Sequence, residues 1–364
     1  MDQRLRDILE AFDAELPIDE ALTPPSEWYT SRELLDFELH SVFRNNWVAV
    51  GLAAPVSKPG HYVSGNMLGD PYVIVRGKDN TLRAFDNVCR HHATTLVKGQ
   101  GCIDTFQCPY HGWVYDLEGR VLGAPKMGGV ASFKKEEMGL TTRHAAIWGP
   151  LLFLYLGDTP PDLNAQLAPL KDFCRSDLFE GLTWSGGETH PVDSNWKVYV
   201  DNYLDGGYHV PVLHKGLTAD LNMKSYETTL FERSSVQRVG GDKANERVGE
   251  GADYIWIYPN LMINRYGPVL DVNIVLPDSV GKTSVRFDYW FEETEGAYAQ
   301  RFMMESRAKS REVQDEDAMI CASVQEGLRS SAYDRGCYAP SIEHGEHHFH
   351  LLLAADYKRA IADT

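Results

Sequence analysis

The sequence predicts an α+β protein: a small all-β domain, then a larger domain in which helices pack on an antiparallel sheet. Three observations carry this. Residues 47–157 run in short β-forming stretches separated by turn dipeptides. Beyond residue 158 such stretches return, now beside long helical patterns. The chain, at 364 residues, also exceeds one domain of ordinary size.

Taken in order, residues 1–46 read as helices that pack on the larger domain. Residues 1–16 carry Asp2, Asp7, Glu10, Asp13 and Glu15 among apolar positions. That is an acidic amphipathic helix, not a signal peptide or an Arg-rich transit peptide. A second helix over 31–47 has its apolar positions at Leu34, Leu35, Phe37, Leu39, Val42 and Phe43. The small domain, 47–157, has strands around 47–51, 72–75, 114–116 and 151–156, with turns at Asp79-Asn80 and Glu118-Gly119. Residues 158–166, rich in Pro and Asp at the start, form a linker into the third segment, 158–364. Here strands are expected over 254–264, 269–276 and 283–292, and helices over 196–208 and 297–330. There is no internal repeat or low-complexity segment.

Charge and composition exclude several functions. No apolar run approaches the roughly 20 residues that span a bilayer. A net charge of −17 repels nucleic acid and anionic membranes. It suits a small cationic substrate, although acidic soluble proteins are common. Of six cysteines, Cys102, Cys174, Cys321 and Cys337 are scattered and read as reduced thiols. This points to the cytoplasm, or to an organelle stroma where a transit peptide has been removed.

The other two cysteines belong to a motif. Cys89-Arg90-His91 and Cys108-Pro109-Tyr110-His111 are separated by sixteen residues. Two Cys and two His from two loops match a Rieske-type [2Fe–2S] centre, with Cys on one iron and His on the other. Zinc sites bring their cysteines as a close pair and their histidines as another, whereas here each loop supplies one of each. His92 has the wrong spacing for a ligand.

A second constellation follows. Asp201, Asp205 and His209 are spaced i, i+4, i+8 and so share one helix face. Gly206, Gly207 and Pro211 loosen or end that helix, which lets His214 swing back toward His209. Two His and one carboxylate with open positions define the facial triad of non-haem Fe(II) oxygenases. The run Asp315-Glu316-Asp317 on the late helix offers the acid, with Asp317 the first choice and Asp315 the second. A Rieske cluster needs a terminus for its electrons, and this site supplies one. His347, His348 and His350 are read as core or interface.

With both sites in view, the chain resembles the α subunits of Rieske non-haem iron oxygenases over nearly its whole length. The match covers both Cys/His pairs, Asn195-Trp-Lys, the Asp201-Asn202 pair and His209-x₄-His214. Within the family it is most similar to choline monooxygenases, through residues 201–211, 258–268 and His347-His-Phe-His350. The resemblance implies a helix-grip type of catalytic domain and a head-to-tail homotrimer. It also implies a ferredoxin or flavin-dependent reductase as electron donor and O2 as co-substrate; from the charge and the lack of a long apolar run, no nucleic-acid or membrane partner is expected. It further implies an acid that links a cluster His to an iron-ligating His across subunits. The family places this acid three residues before the first iron His, where this chain has Gly206; Asp205 is the expected substitute and Asp201 the fallback.

The substrate expected from this resemblance is a quaternary amine. Choline would give betaine aldehyde hydrate, and a betaine-type N-methyl group would be lost as formaldehyde. A trimethylammonium favours an aromatic cage, for which Tyr203, Trp256, Tyr258, Tyr266 and Trp290 are candidates. Asn264 is the candidate for the substrate hydroxyl. Two other readings are an aromatic-ring hydroxylase on the same scaffold and a plain Rieske electron carrier. Against the carrier stand roughly 200 residues beyond the β domain, enough for a further domain.

Overall fold

In the computed structural model, which describes residues 3–174, 178–241 and 245–362, the chain divides into two units. Residues 43–163 form one; residues 1–42 and 164–364 together form the other. The larger unit is thus built from two separate stretches of chain.

The smaller unit holds β1 (Val48–Leu52), β2 (His61–Met67), β3 (Asp70–Arg76), β4 (Leu82–Asp86), β5 (Gln100–Cys102), β6 (Phe106–Gln107), β7 (Val114–Tyr115), β8 (Val121–Gly123), β9 (Thr142–Trp148) and β10 (Leu151–Tyr155). Seven of these form an antiparallel sheet in the order β1-β10-β9-β4-β3-β2-β5, and β6-β7-β8 form a second sheet. Every residue of β10 is buried, which explains its unbroken apolar run Leu-Leu-Phe-Leu-Tyr. Val73, Val75, Phe85, Phe106, Trp113 and Tyr115 form a core that also contains Cys89 and Cys108. The two cysteines are therefore anchored in close-packed structure although they lie on loops.

The larger unit opens with α1 (Gln3–Glu10), α2 (Glu27–Thr30) and α3 (Arg32–Glu38). The Ser31 hydroxyl caps α3 by accepting from the Leu34 N–H at 3.2 Å. This helix is shorter than the sequence suggests, because the chain passes into a π-helical turn at Leu39–Phe43. After α4 (Leu163–Phe173), a seven-stranded sheet runs in the order β11-β17-β16-β15-β14-β13-β12. Its strands are β11 (Thr183–Val192), β12 (Leu221–Phe231), β13 (Ser234–Gly241), β14 (Gly251–Ile257), β15 (Leu261–Tyr266), β16 (Val269–Ser279) and β17 (Lys282–Phe291). Two differences from the sequence reading stand out. The stretch 254–264 is a hairpin of β14 and β15, turning at Pro259-Asn260. β11 and β12 lie at the sheet edges and are largely unburied, so they carry little of the apolar alternation by which strands are read.

The remaining helices are α5 (Trp196–Leu204), α6 (Val210–Leu213), α7 (Lys215–Thr218), α8 (Gly296–Gly327) and α9 (His344–Ala362). α5 packs against α8, α9 and β16. One buried carboxylate ties this arrangement together. Glu38, on α3, accepts from Lys197 Nζ at 2.6 Å, Trp196 Nε1 at 2.8 Å and the Tyr357 hydroxyl at 2.6 Å. Glu38 and Lys197 are both fully buried, so each charge depends on the other.

Replacing Lys197 with Met leaves that carboxylate buried without its counter-ion. We expect Lys197→Met to cost about 3–5 kcal/mol in denaturant unfolding of the larger unit. A pH effect arises on α9. Burial pushes His347 down to about 4, and the neighbouring His350, His348 and His344 add to the effect. The folded state thus refuses a proton that the unfolded chain accepts below about 6.5. This contribution to stability is complete above the unfolded value and is lost as pH falls toward 4. Comparing unfolding midpoints at pH 7 and pH 4.5 should show a smaller acid loss in His347→Gln than in the parent.

Candidate active site

The two cluster loops are built alike. In each, the cysteine carbonyl accepts from the N–H four residues on: Ala93 to Cys89 at 3.0 Å and Gly112 to Cys108 at 3.1 Å. In each, that fourth residue has a positive φ, 57° at Ala93 and 72° at Gly112. The tight turns bring the two histidines together. His91 and His111 end with ring centroids 4.7 Å apart, and the Trp113 indole stacks on His91 at 4.9 Å. His92, dismissed on spacing, lies beside them with its centroid 4.0 Å from that of His91.

The chemistry of the pocket fits a [2Fe–2S] cluster. Burial alone would raise Cys108, but the backbone N–H groups of His111 and Tyr110, with Cys89 and Thr94, outweigh it and hold the thiol below its ordinary value. The Tyr115 hydroxyl lies 3.3 Å from Cys89 Sγ. Hydrogen bonds to sulfur are among the features that set a cluster's potential. His91 Nδ1 is buried and has no hydrogen-bond partner among the described residues. The cysteine side is buried while His111 is exposed, so electrons would enter or leave through the histidine edge.

The second site begins where α5 stops. Gly206 and Gly207 follow one another with φ of 72° and 75°, which ends the helix at Leu204. A Cβ on Gly206 would collide with the Ile342 carbonyl, and one on Gly207 would meet the Tyr226 ring at 2.6 Å. No acid can occupy position 206 without moving that backbone. Asp205 sits just before the break, and its carboxylate accepts from the N–H groups of Gly207, Tyr208 and His209 at 2.9, 3.1 and 3.0 Å. It also meets His209 Nδ1 at 2.6 Å. The break corrects one expectation: Asp201 and His209 do not share a helix face. Asp201 instead meets His350 Nε2 at 3.0 Å, away from the His pair.

α6 is a single turn, and it sets His209 and His214 with ring centroids 4.9 Å apart at 83°. α8 supplies the third group. Its buried stripe runs through Met303, Ser306, Ser310, Gln314 and Cys321. Asp317 lies on this stripe, and exposed Asp315 does not. Asp317 Oδ1 lies 3.0 Å from His214 Nε2 and 3.8 Å from His209 Nε2. All three donor atoms fall within 4.8 Å of one another.

Each of the three is steered from behind. Asp205 engages His209 Nδ1, Glu316 engages His214 Nδ1 at 2.6 Å, and Asn202 Nδ2 donates to Asp317 Oδ1 at 2.8 Å. Both imidazoles are thereby turned to present Nε2, the arrangement that carboxylate partners impose on metal-ligating histidines. Burial opposes charge on His214, but Asp317 and Glu316 outweigh it and keep its pKa above the ordinary value. Two imidazole nitrogens and one carboxylate facing an open cavity fit a non-haem iron. Glu316 and Asn202 had no separate signal in the sequence, since Glu316 reads as part of an acidic run.

The three groups open into a cavity of about 100 Å³. By the same measure a single water needs about 10–15 Å³, so a small organic molecule fits. Among the expected substrate residues, Tyr203, Asn264 and Tyr266 line it. The Asn264 amide is largely engaged within the protein: it accepts from Tyr203 at 2.8 Å and donates to Asp271 and Asn273 at 2.6 and 2.9 Å, which leaves one lone pair of its oxygen for the expected hydroxyl. Trp256, Tyr258 and Trp290 are not in the wall. Trp256 shares a strand face with Tyr254, which does line the cavity, but it lies further along, against Phe349 of α9 at 5.4 Å. Tyr258, past the strand end, donates to Asp356 at 2.9 Å. Trp290 has the opposite phase to Phe287 and packs on Phe179 at 5.7 Å. The sequence reading missed Tyr226, Tyr254, Arg247 and Asp271, all of which line the cavity.

Known proteins fit this geometry. Residues 46–134 match the Rieske [2Fe-2S] domain, and residues 179–358 match the catalytic domain of the ring hydroxylating alpha subunit. The chain is 39% identical to the chloroplastic choline monooxygenase of Arabidopsis thaliana, over 96% of this chain and 86% of that protein. The chain belongs to the Rieske non-haem iron oxygenases. This oxygenase is also 30% identical to the carnitine monooxygenase oxygenase subunit of Escherichia coli K12, over 93% and 95% of the two chains. Its structure matches that of the quaternary ammonium Rieske monooxygenase CntA with a TM-score of 0.81 at 26% identity, covering 96% of this chain and 98% of that one. Naphthalene 1,2-dioxygenase from Rhodococcus shares the fold, with a TM-score of 0.78 at 18% identity and coverage of 100% and 99%. The oxygenase is thus a redox enzyme with a Rieske [2Fe–2S] cluster and a mononuclear iron. No helix among its described residues is long and apolar enough to cross a membrane.

Two variants test the iron site. His209→Ala should lose the mononuclear iron, seen as a fall from three to two Fe per chain, while the visible spectrum of the cluster persists. Glu316→Gln should keep the ligand but lower iron affinity by about 10–100-fold, as removal of a carboxylate behind a metal-bound His does elsewhere. Retention of full iron in both would place the metal elsewhere.

Proposed function

We propose that this oxygenase hydroxylates a quaternary ammonium compound, choline first among them, and that His209, His214 and Asp317 hold its iron. In the Rieske centre we assign Cys89 and Cys108 to one iron and His91 and His111 to the other. The observation that carries the substrate is the cavity at the iron site. Tyrosines 203, 226, 254 and 266 and one buried carboxylate, Asp271, line it. Aromatic faces and an anion suit a cation without N–H groups, and they suit a neutral arene poorly. The relatives named for choline and carnitine oxidation support the same class.

When bound, the mononuclear iron supplies O2 activation and the cluster delivers electrons singly. The overall balance is choline, O2, two electrons and two protons to betaine aldehyde hydrate and water. The electrons come from a ferredoxin or flavin-dependent reductase. The chain's own groups do the positioning. Asp205 and Glu316 fix the two imidazoles, and Asn202 fixes Asp317. Tyr203 donates its hydroxyl to Asn264, which fixes its ring in the cavity wall. We read the active form as a homotrimer in which Asp205 links His209 to a cluster histidine of the neighbouring subunit. Asp201, bonded to His350, is one step removed from that path.

A second reading has its own support. Arg247 also lines the cavity, its guanidinium lies 4.5 Å over the Tyr266 ring, and its buried Nε has no hydrogen-bond partner among the described residues. A carboxylate would satisfy it, which favours N-demethylation of a betaine-type substrate.

The deciding measurement is NADH-driven turnover with a reductase on choline, glycine betaine, carnitine and an aromatic acid. Aldehyde from choline supports the first reading, and formaldehyde from glycine betaine or carnitine supports the second. Product from the aromatic acid alone would sink both.

A further inference from the structure

The structure assigns Asp271 as the group that holds the substrate's quaternary nitrogen, an inference that rests on the proposed substrate class and deepens it. Asp271 stands on β16, directly opposite Asn264 on β15, and is 1% exposed. Its two oxygens are treated differently. Oδ1 accepts from Asn264 Nδ2 at 2.6 Å and Asn273 Nδ2 at 3.2 Å. Oδ2 is buried and has no hydrogen-bond partner among the described residues. A native fold seldom leaves a carboxylate oxygen so, because a buried unpaired acceptor costs free energy. The oxygen belongs to a residue of the cavity wall, in the company of Tyr203, Tyr254 and Tyr266.

The amide pair that holds Oδ1 is itself held. Asn264 Oδ1 accepts from the Tyr203 hydroxyl, and the Tyr203 carbonyl accepts from Gln237 Nε2 at 2.7 Å. The carboxylate is therefore fixed in place before any ligand arrives, and the cost of fixing it is met in folding. A primary ammonium would demand directional acceptors from this wall. A quaternary ammonium brings charge but no N–H, so an anion with one undirected oxygen and flanking ring faces matches it. Burial pushes Asp271 up to about 6, with Asn264, Arg247 and Asn273 pulling it back. An ionised carboxylate so buried is held at a cost that a bound cation offsets. Arg247 is the cationic side chain of the wall, and its charge works against a cationic ligand.

The test separates charge from shape. Dissociation constants of choline and of 3,3-dimethylbutan-1-ol, in which a neutral tert-butyl group replaces the trimethylammonium, are measured by calorimetry on the holoenzyme. The parent should prefer choline by at least tenfold. Asp271→Asn, nearly isosteric, should weaken choline by tenfold or more and leave the neutral alcohol within twofold. Arg247→Gln should widen the preference for choline, which keeps the idea testable if Asp271→Asn does not fold. Equal weakening of both ligands in Asp271→Asn would mean that the carboxylate only braces the sheet, and would overturn the assignment. So would an Arg247→Gln variant with the preference unchanged. If the parent binds choline no better than the neutral alcohol, the assignment fails while the substrate class stands. If it binds no quaternary amine at all, the substrate class itself fails.

Discussion

The double-glycine break after α5 is the constraint from which the meeting of His209, His214 and Asp317 follows. α5 is locked in the interior by Lys197 and Trp196 on Glu38, so its end cannot drift. Gly206 and Gly207 then turn the chain in a conformation that side chains disfavour and that the crowding by Ile342 and Tyr226 forbids to them. Asp205 gathers the three freed N–H groups and the His209 ring on one carboxylate. The sharp turn, the cap and the orientation of the first imidazole are one event. His214 and Asp317 need only arrive at a place already defined.

The same break bears on the acid that the family resemblance leads one to expect. The position three residues before His209 is Gly206, where the backbone has no room for an acid. Shifting the carboxylate by one residue keeps its reach to His209 because the glycine pair lets the chain double back.

What could be read from the residues alone was whatever lies within one turn or one loop. The spacing of Cys89, His91, Cys108 and His111 marks two loops that both close by the same four-residue turn. Asp317 follows from the stripe of α8, since helical periodicity decides which of three acids faces inward. The groups behind the ligands were illegible because sequence-distant elements bring them together: Asn202 to Asp317, Glu316 to His214, Asp271 to Asn264. Tyr203 and Tyr266 line the cavity, but Trp256 does not, for a related reason. Strand alternation tells which face Trp256 is on, but not that α9 covers that end of the face.

The shared carboxylate of Glu38 has a consequence for biosynthesis. It joins α3, α5 and α9, so the larger unit's interior needs Tyr357 as much as it needs Glu38. The cluster-bearing unit, residues 43–163, is an uninterrupted stretch that leaves the ribosome long before α9 does. Domains fold as units during synthesis, so the iron–sulfur scaffold can form while the N-terminal helices still wait for their partners.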